Sequence, residues 1–232
     1  MKPVLRLDCN FDVTRLQADL EIAESAGQRH MHFTGNHDGG WSGISLVSID
    51  GKTDAGSIRY GSGRYFPTSV LASCPYFCEI LYQFQCPKHQ VRLLRLEAGK
   101  KILEHRDRVL SWPLGIARLH IPIVTHDEVY FYLDRQRVHM RPGELWYCDF
   151  SRPHSVENRS HIARVHLVMD LELNPWLRRL FPPEPFGERL ANHLAAARYY
   201  ARSPRRLARF IHRSSYGYRE PLTPSGIQEL HS

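Results

Sequence analysis

The feature that most limits what this chain can fold into is a train of short alternating segments that begins near Val91. QVRLLRLEAG, KILEHRD, ARLHIPIVT, EVYFYLD, RVHMRPG, ELWYCDF, HSVENRS and HIARVHLVMDL follow one another, separated by Ala-Gly, Thr-His-Asp, Asp-Arg-Gln, Arg-Pro-Gly and Glu-Asn-Arg-Ser. The separators are turn chemistry, and the alternation within each segment is the period of a strand. About eight short strands over roughly eighty residues predict an all-β barrel or sandwich. A double-sheet jelly roll is the economical way to close that many strands.

The flanks read differently. In DVTRLQADLEIAESA, Val13, Leu16, Leu20 and Ala23 fall at helical spacing and stop at Gly27, so residues 12–26 should form a surface helix with one buried stripe. WSGISLVSIDG alternates up to the Asp50-Gly51 turn and predicts a strand. A Gly/Ser-rich loop follows, and Ser73-Cys74-Pro75 opens a helix whose core face is Phe77, Ile80, Leu81 and Phe84. Beyond Asp170, Asn174-Pro175 and Ser203-Pro204 each pair a capping residue with a proline, and Leu190–Ala201 reads as another helix. The organisation expected is residues 1–90 as helix and strand elements packing on the core, 91–170 as the catalytic core, and 171–232 as a basic helical extension, all one structural unit.

No run of about eighteen apolar residues occurs, which argues against a membrane-spanning helix. The first residues lack the apolar stretch of a secretory signal, so a cytoplasmic protein is expected. The five cysteines include no CxxC pair and read as buried thiols. The net charge of +7 is concentrated after Arg178; without a zinc-finger or RNA-binding signature that run reads as solvated helix faces rather than a nucleic-acid site.

Within LEHRDRV, strand alternation would set His105 and Asp107 side by side with Arg106 turned away. That pair is two thirds of a metal site, or it is an exposed ion pair. His154, after ELWYCDF and the tight Ser151-Arg152-Pro153 connection, can supply the third ligand. A hairpin across ENRS would bring Arg164 back alongside the strand that carries His154. Two histidines and a carboxylate leave adjacent positions open on an octahedral ion, the arrangement non-heme Fe(II) oxygenases use. A guanidinium deeper in the barrel matches the distal carboxylate of a 2-oxo acid such as 2-oxoglutarate. His166 reads as a hydrogen-bonded core histidine. Trp112 could wall a substrate pocket or simply pack, and only one of Arg92 and Arg95 can face the cavity.

These residues also carry a resemblance. His105-Arg106-Asp107, RLHIPI at 118–123, RPGELWYCDFSRPHSVENRS at 141–160 and RVHLVMD at 164–170 resemble the aspartyl/asparaginyl β-hydroxylase family of iron and 2-oxoglutarate-dependent oxygenases. The likeness is to its bacterial L-proline cis-4-hydroxylase branch, which keeps the full His-x-Asp pair. The resemblance implies a mainly β fold, a double-stranded β-helix (jelly roll, cupin-like) core with flanking N- and C-terminal helices. It implies His105, Asp107 and His154 as catalytic iron ligands, Arg164 on the distal carboxylate of 2-oxoglutarate, and Arg118 and His120 toward the oxo-acid end or the substrate. The cofactors implied are Fe(II), 2-oxoglutarate and O2, with ascorbate in support. The reaction implied is hydroxylation of an unactivated C–H bond in a free amino acid or similar carboxylate-bearing small molecule, with succinate and CO2 as co-products. Hydroxylation of a peptide or protein residue, and a cupin-like metal module without oxygenase activity, are the rivals. No membrane or nucleic-acid partner is expected, and self-association is left open.

Overall fold

The computed structural model describes residues 1–31, 35–54, 63–107 and 109–203. Its strands are β1 (Val4–Asn10), β2 (His30–Met31), β3 (Trp41–Ile49), β4 (Tyr65–Pro67), β5 (Lys88–Leu96), β6 (Lys101–His105), β7 (Ile116–Val124), β8 (Val129–Leu133), β9 (Gln136–Val138), β10 (Glu144–Cys148), β11 (His154–Asn158) and β12 (Arg164–Glu172). Its helices are α1 (Val13–Ala26), α2 (Ser69–Ala72), α3 (Pro75–Gln83), α4 (Pro175–Arg178) and α5 (Phe186–Ala201), with a 3-10 turn at Trp112–Leu114. Every alternating segment from Val91 onward contains a strand, and the predicted jelly roll is present as two antiparallel sheets. The larger runs β1-β10-β7-β12-β5-β3-β2 with β4 beside β3, and the smaller runs β6-β11-β8-β9.

Four strands of the larger sheet, β1 to β4, come from the N-terminal segment. β3 pairs with β5 from Trp41 to Val47, and β1 pairs with β10 at the edge. Tyr65–Pro67, read from sequence as part of a loop, forms β4 against Val47–Ile49. The helix predicted to open at Ser203-Pro204 and the arginines beyond it lie outside the described residues.

The larger sheet has two unlike faces, set by the two-residue period. On one face Val91, Leu93, Leu119, Ile121, Leu145, Tyr147, Leu167 and Met169 join Leu16 and Leu20 of α1 and Phe77, Ile80 and Leu81 of α3 in one apolar core. The α1 stripe is the predicted one, with Asp12 capping its first turn by accepting from Arg15 N–H. Asp19 of the same helix caps α3, accepting from Phe77 N–H at 2.7 Å in place of the missing side-chain cap at Cys74. On the other face, toward the smaller sheet, stand Arg92, Arg118, His120, Arg164, His166 and Asp170, all buried. Ile102, Phe131, Leu133 and Val156 of the smaller sheet form the apolar wall opposite, together with Leu96 and Cys148. A charged inner face on an otherwise apolar sheet is costly unless each charge is matched, which makes this face the place to look for function.

The link from β11 to β12 corrects the hairpin expected across ENRS. β11 pairs with β6 and β8, whereas β12 pairs with β5 and β7, so the chain crosses from one sheet to the other between them. The crossing is held by the fully buried Asn158, whose amide donates to the carbonyls of Leu96, Glu97 and Ile162. Its Oδ1 accepts from Ser160 N–H and Oγ. Arg164 therefore faces the strand of His154 from across the barrel instead of lying beside it.

α5 covers the predicted Leu190–Ala201 helix and begins four residues earlier. It is tied on through Glu184, which accepts from Trp112 Nε1 and Asn192 Nδ2, each at 2.7 Å, and from Arg178 Nη1 at 3.0 Å. Trp112 is buried against Phe181 and Tyr147, so it packs and does not wall a pocket. The cysteines are free thiols, all but Cys9 buried. Among the described residues no helix is long and apolar enough to cross a membrane.

Candidate metal centre

His105, Asp107 and His154 converge: each offers one ligand atom, and these atoms lie within 4.8 Å of one another. β6 and β11 are antiparallel neighbours whose register sets His105 opposite His154, with ring centroids 4.2 Å apart. Both imidazoles are oriented in the same way. His105 Nδ1 lies 2.8 Å from the Leu103 carbonyl, and His154 Nδ1 lies 2.9 Å from that of Arg152. A carbonyl partner requires Nδ1 to carry the proton, so each Nε2 presents its lone pair to the centre. Burial drops the His154 pKa to about 4, which keeps that ring neutral and able to ligate at neutral pH.

Asp107 arrives differently from the strand alternation expected. β6 ends at His105, and Asp107 sits on the bend that follows, its N–H donating to the Phe150 carbonyl at 2.8 Å. Its Oδ1 lies 3.8 Å from His105 Nε2, while Oδ2 accepts from Arg118 Nη1 at 2.7 Å. Burial pushes the carboxyl pKa up, but Arg118, His154 and His105 outweigh it and hold Asp107 below the usual carboxylate range. The triad is thus two neutral-capable imidazoles and one ionised carboxylate.

Arg118 is held within the protein by two carboxylates. Its Nε and Nη2 bind both oxygens of the fully buried Asp170 at 2.6 and 2.9 Å, and its remaining Nη1 goes to Asp107. Three of the five guanidinium hydrogens are thus committed to two carboxylates, and one on each terminal nitrogen remains. Arg92 is the member of the Arg92 and Arg95 pair that faces inward, with Nη2 3.5 Å from Asp170 Oδ2. Arg95 pairs with Glu97 and Glu24 on the other side.

A line of ring contacts runs from the triad into the barrel. Phe150 packs edge-on against His154 and stacks on His120, with centroids 4.7 and 4.9 Å apart. His120 Nδ1 is 3.3 Å from His166 Nδ1, which in turn accepts from Arg164 Nη2 at 2.9 Å. His120 and His166 are held well below the ordinary histidine pKa, first by burial and then by Arg164. Burial brings Arg164 itself down to about 10. Its Nε and the Nε2 atoms of His120 and His166 are buried without a hydrogen-bond partner, and among the described residues no carboxylate pairs with Arg164. Accepting from Arg164 fixes the His166 proton on Nε2, so a guanidinium N–H and an imidazole N–H are left as buried donors with no acceptor. Donors of this kind are expensive to bury unmatched, and the oxygens of a carboxylate would satisfy them.

Asp170 and Phe150 are the site residues that sequence reasoning missed. Asp170 did carry a signal: it is the single acid on the inward positions 164, 166, 168 and 170 of a strand buried along its whole length. Phe150 carried none, since its role depends on the turn that aims it inward.

The family model described as aspartyl/asparaginyl beta-hydroxylase matches residues 12–173 of the chain, a span that holds the triad and every strand but β1. The chain belongs to the aspartyl/asparaginyl β-hydroxylase family. Relatives of this hydroxylase-family chain include the L-proline cis-4-hydroxylase of Rhizobium meliloti, 27% identical over 164 residues, which are 70% of this chain and 58% of that protein. An L-proline cis-3-hydroxylase of a Streptomyces species is 27% identical over 165 residues, 69% of this chain and 57% of that one. The chain therefore spans less than three fifths of either relative. Among solved structures, an oxidoreductase of the 2OG-Fe(II) oxygenase family from Burkholderia pseudomallei aligns with a TM-score of 0.51 at 12% identity, covering 73% of this chain and 85% of that one. At that identity the match speaks to the fold.

Proposed function

We propose that this protein is an Fe(II) and 2-oxoglutarate-dependent dioxygenase that hydroxylates an unactivated C–H bond of a free amino acid or amino-acid-like small molecule. His105, Asp107 and His154 would hold the iron, and Arg164 with His166 would hold the distal carboxylate of 2-oxoglutarate. When bound, the iron and the oxo-acid supply, with O2, the oxidising power that converts C–H to C–OH as succinate and CO2 are released.

The observation that carries this reading is the buried guanidinium of Arg164, with which no acid among the described residues pairs, within the same barrel as a cluster of two histidines and a carboxylate. A metal module without an oxo-acid would have no use for that guanidinium. The donor set fits the metal, since three ligands from one side leave adjacent coordination positions for a chelating oxo-acid and O2. Groups around the centre orient its ligands and wall it. The carbonyls of Leu103 and Arg152 fix the two rings, and Phe150, Phe131 and Leu133 supply apolar walls. The relatives named for L-proline support an amino acid as substrate over a residue within a protein.

The test is a succinate-release screen with Fe(II), 2-oxoglutarate and ascorbate across the free amino acids, short peptides and a no-substrate control. Succinate formation stimulated by an amino acid, and lost in His154→Ala, is expected. An enzyme that binds metal but consumes no 2-oxoglutarate under any of these conditions would overturn the proposal.

A further inference from the structure

Asp107 stands past the end of β6, so strand geometry does not aim its carboxylate. Something else must, because a carboxylate on a bend can present one oxygen, present both, or swing away. Arg118 is placed to decide this. It takes Oδ2 of Asp107 at 2.7 Å and leaves Oδ1 on the histidine side, 3.8 Å from His105 Nε2. Arg118 cannot itself turn, since the other edge of its planar fork is bonded at 2.6 and 2.9 Å to both oxygens of Asp170. Asp170 is fully buried on the adjoining strand, directly opposite Arg118 in the β7–β12 register, with Arg92 on its far side.

From this chain of contacts we infer that Arg118 and Asp170 are positioning residues, which hold Asp107 so that it offers a single oxygen to the metal. The inference rests on the proposed metal centre and adds to it the device that sets the carboxylate's binding mode. Asp170 anchors Arg118 from the sheet, Arg118 reaches across to the bend, and Asp107 is left with one free oxygen. Its consequence is that the remaining coordination positions stay open to the oxo-acid, because Oδ2 is already taken. The bidentate geometry on Asp170 is what a guanidinium can provide and an ammonium cannot.

The test uses Co(II) alone as the probe, titrated into the intact metal-depleted chain, with affinity read by calorimetry and the visible absorption of the bound ion. Four proteins are compared: wild type, Asp170→Asn, Asp107→Ala and the double variant. Asp170→Asn is expected to weaken Co(II) binding by about 10- to 100-fold, the usual effect of removing a group that orients a ligand. In the Asp107→Ala background the same change is expected to have no further effect, because the contact acts through Asp107. Should Asp170→Asn give no folded protein by circular dichroism, Arg118→Lys, which keeps the charge but cannot fork, takes its place with the same expectations. Wild-type affinity in the variant, or an equal loss with and without Asp107, overturns the positioning role while leaving the metal centre standing. Wild type that binds no Co(II) overturns both.

Discussion

Replacing Arg164 with methionine separates two effects that a merely structural arginine would not show together. The side chain is buried, and among the described residues its Nε has no partner and its hydrogen bond goes to a neutral histidine. In the ligand-free protein its charge is therefore uncompensated, and an apolar side chain of similar size should leave stability unchanged or raise it. With 2-oxoglutarate the sign reverses. Removing one partner of a buried charge pair costs about 2–5 kcal/mol of binding, or at least a roughly 30-fold weaker Kd.

Thermal unfolding in Mn(II) without iron reads both effects. At a 2-oxoglutarate concentration of about 100 times its Kd, wild type gains about 2.7 kcal/mol, which for a chain of this size is about 5–11 °C. At the same concentration the Arg164→Met protein is at only about 3 times its Kd and gains about 0.9 kcal/mol or less, roughly 2–4 °C. A variant that melts well below wild type without ligand, yet keeps the full ligand-dependent rise, would refute the assignment of Arg164.

Asp107→Ala should abolish turnover with little loss of stability, since the side chain is 29% exposed and Arg118 keeps its pairing to Asp170; wild-type activity would show the ligand assignment to be wrong. His154 is held near pKa 4 against an ordinary 6.5, so it takes up its proton more readily unfolded than folded. Its contribution, about 3 kcal/mol for a shift of that size, is fully present above pH 6.5 and lost as pH falls toward 4. Urea unfolding of metal-free protein across that window should show the decline, and His154→Gln should flatten it. Gly143 has φ 79°, its carbonyl accepts from Phe11 N–H at 2.8 Å, and a Cβ there would lie 2.5 Å from the Phe11 carbonyl oxygen. Gly143→Ala should cost about 1–3 kcal/mol in denaturant unfolding by straining the turn beside β1.

The strands from Lys88 to Glu172 were legible because each carries its own alternation and its own turn chemistry, both local properties. The ends of α1 and α3 were legible for the same reason, from Asp12, Gly27 and Pro75. β1 was not, because VLRLDCN is a seven-residue edge strand whose pairing with β10 lies some 140 residues away. The spacing of His154 and Arg164 fits a hairpin and a sheet-to-sheet crossing equally well; the difference lies in what Asn158 bonds to, which no local pattern reveals. The convergence of His105, Asp107 and His154 could be anticipated because the three are chemically unusual for the positions they hold. The use of Arg118 could not, since it depends on Asp170, 52 residues later, being buried directly opposite.

In the proposed function His105, Asp107, His154 and Arg164 converge on one iron and one oxo-acid. Anaerobic addition of Fe(II) to the protein with 2-oxoglutarate, followed by visible absorption, tests this most directly. A charge-transfer band saturating at one iron per chain, requiring both additions and missing in His105→Ala and Arg164→Met, is predicted. Iron bound at that stoichiometry with no band, or a band unchanged in both variants, would contradict it.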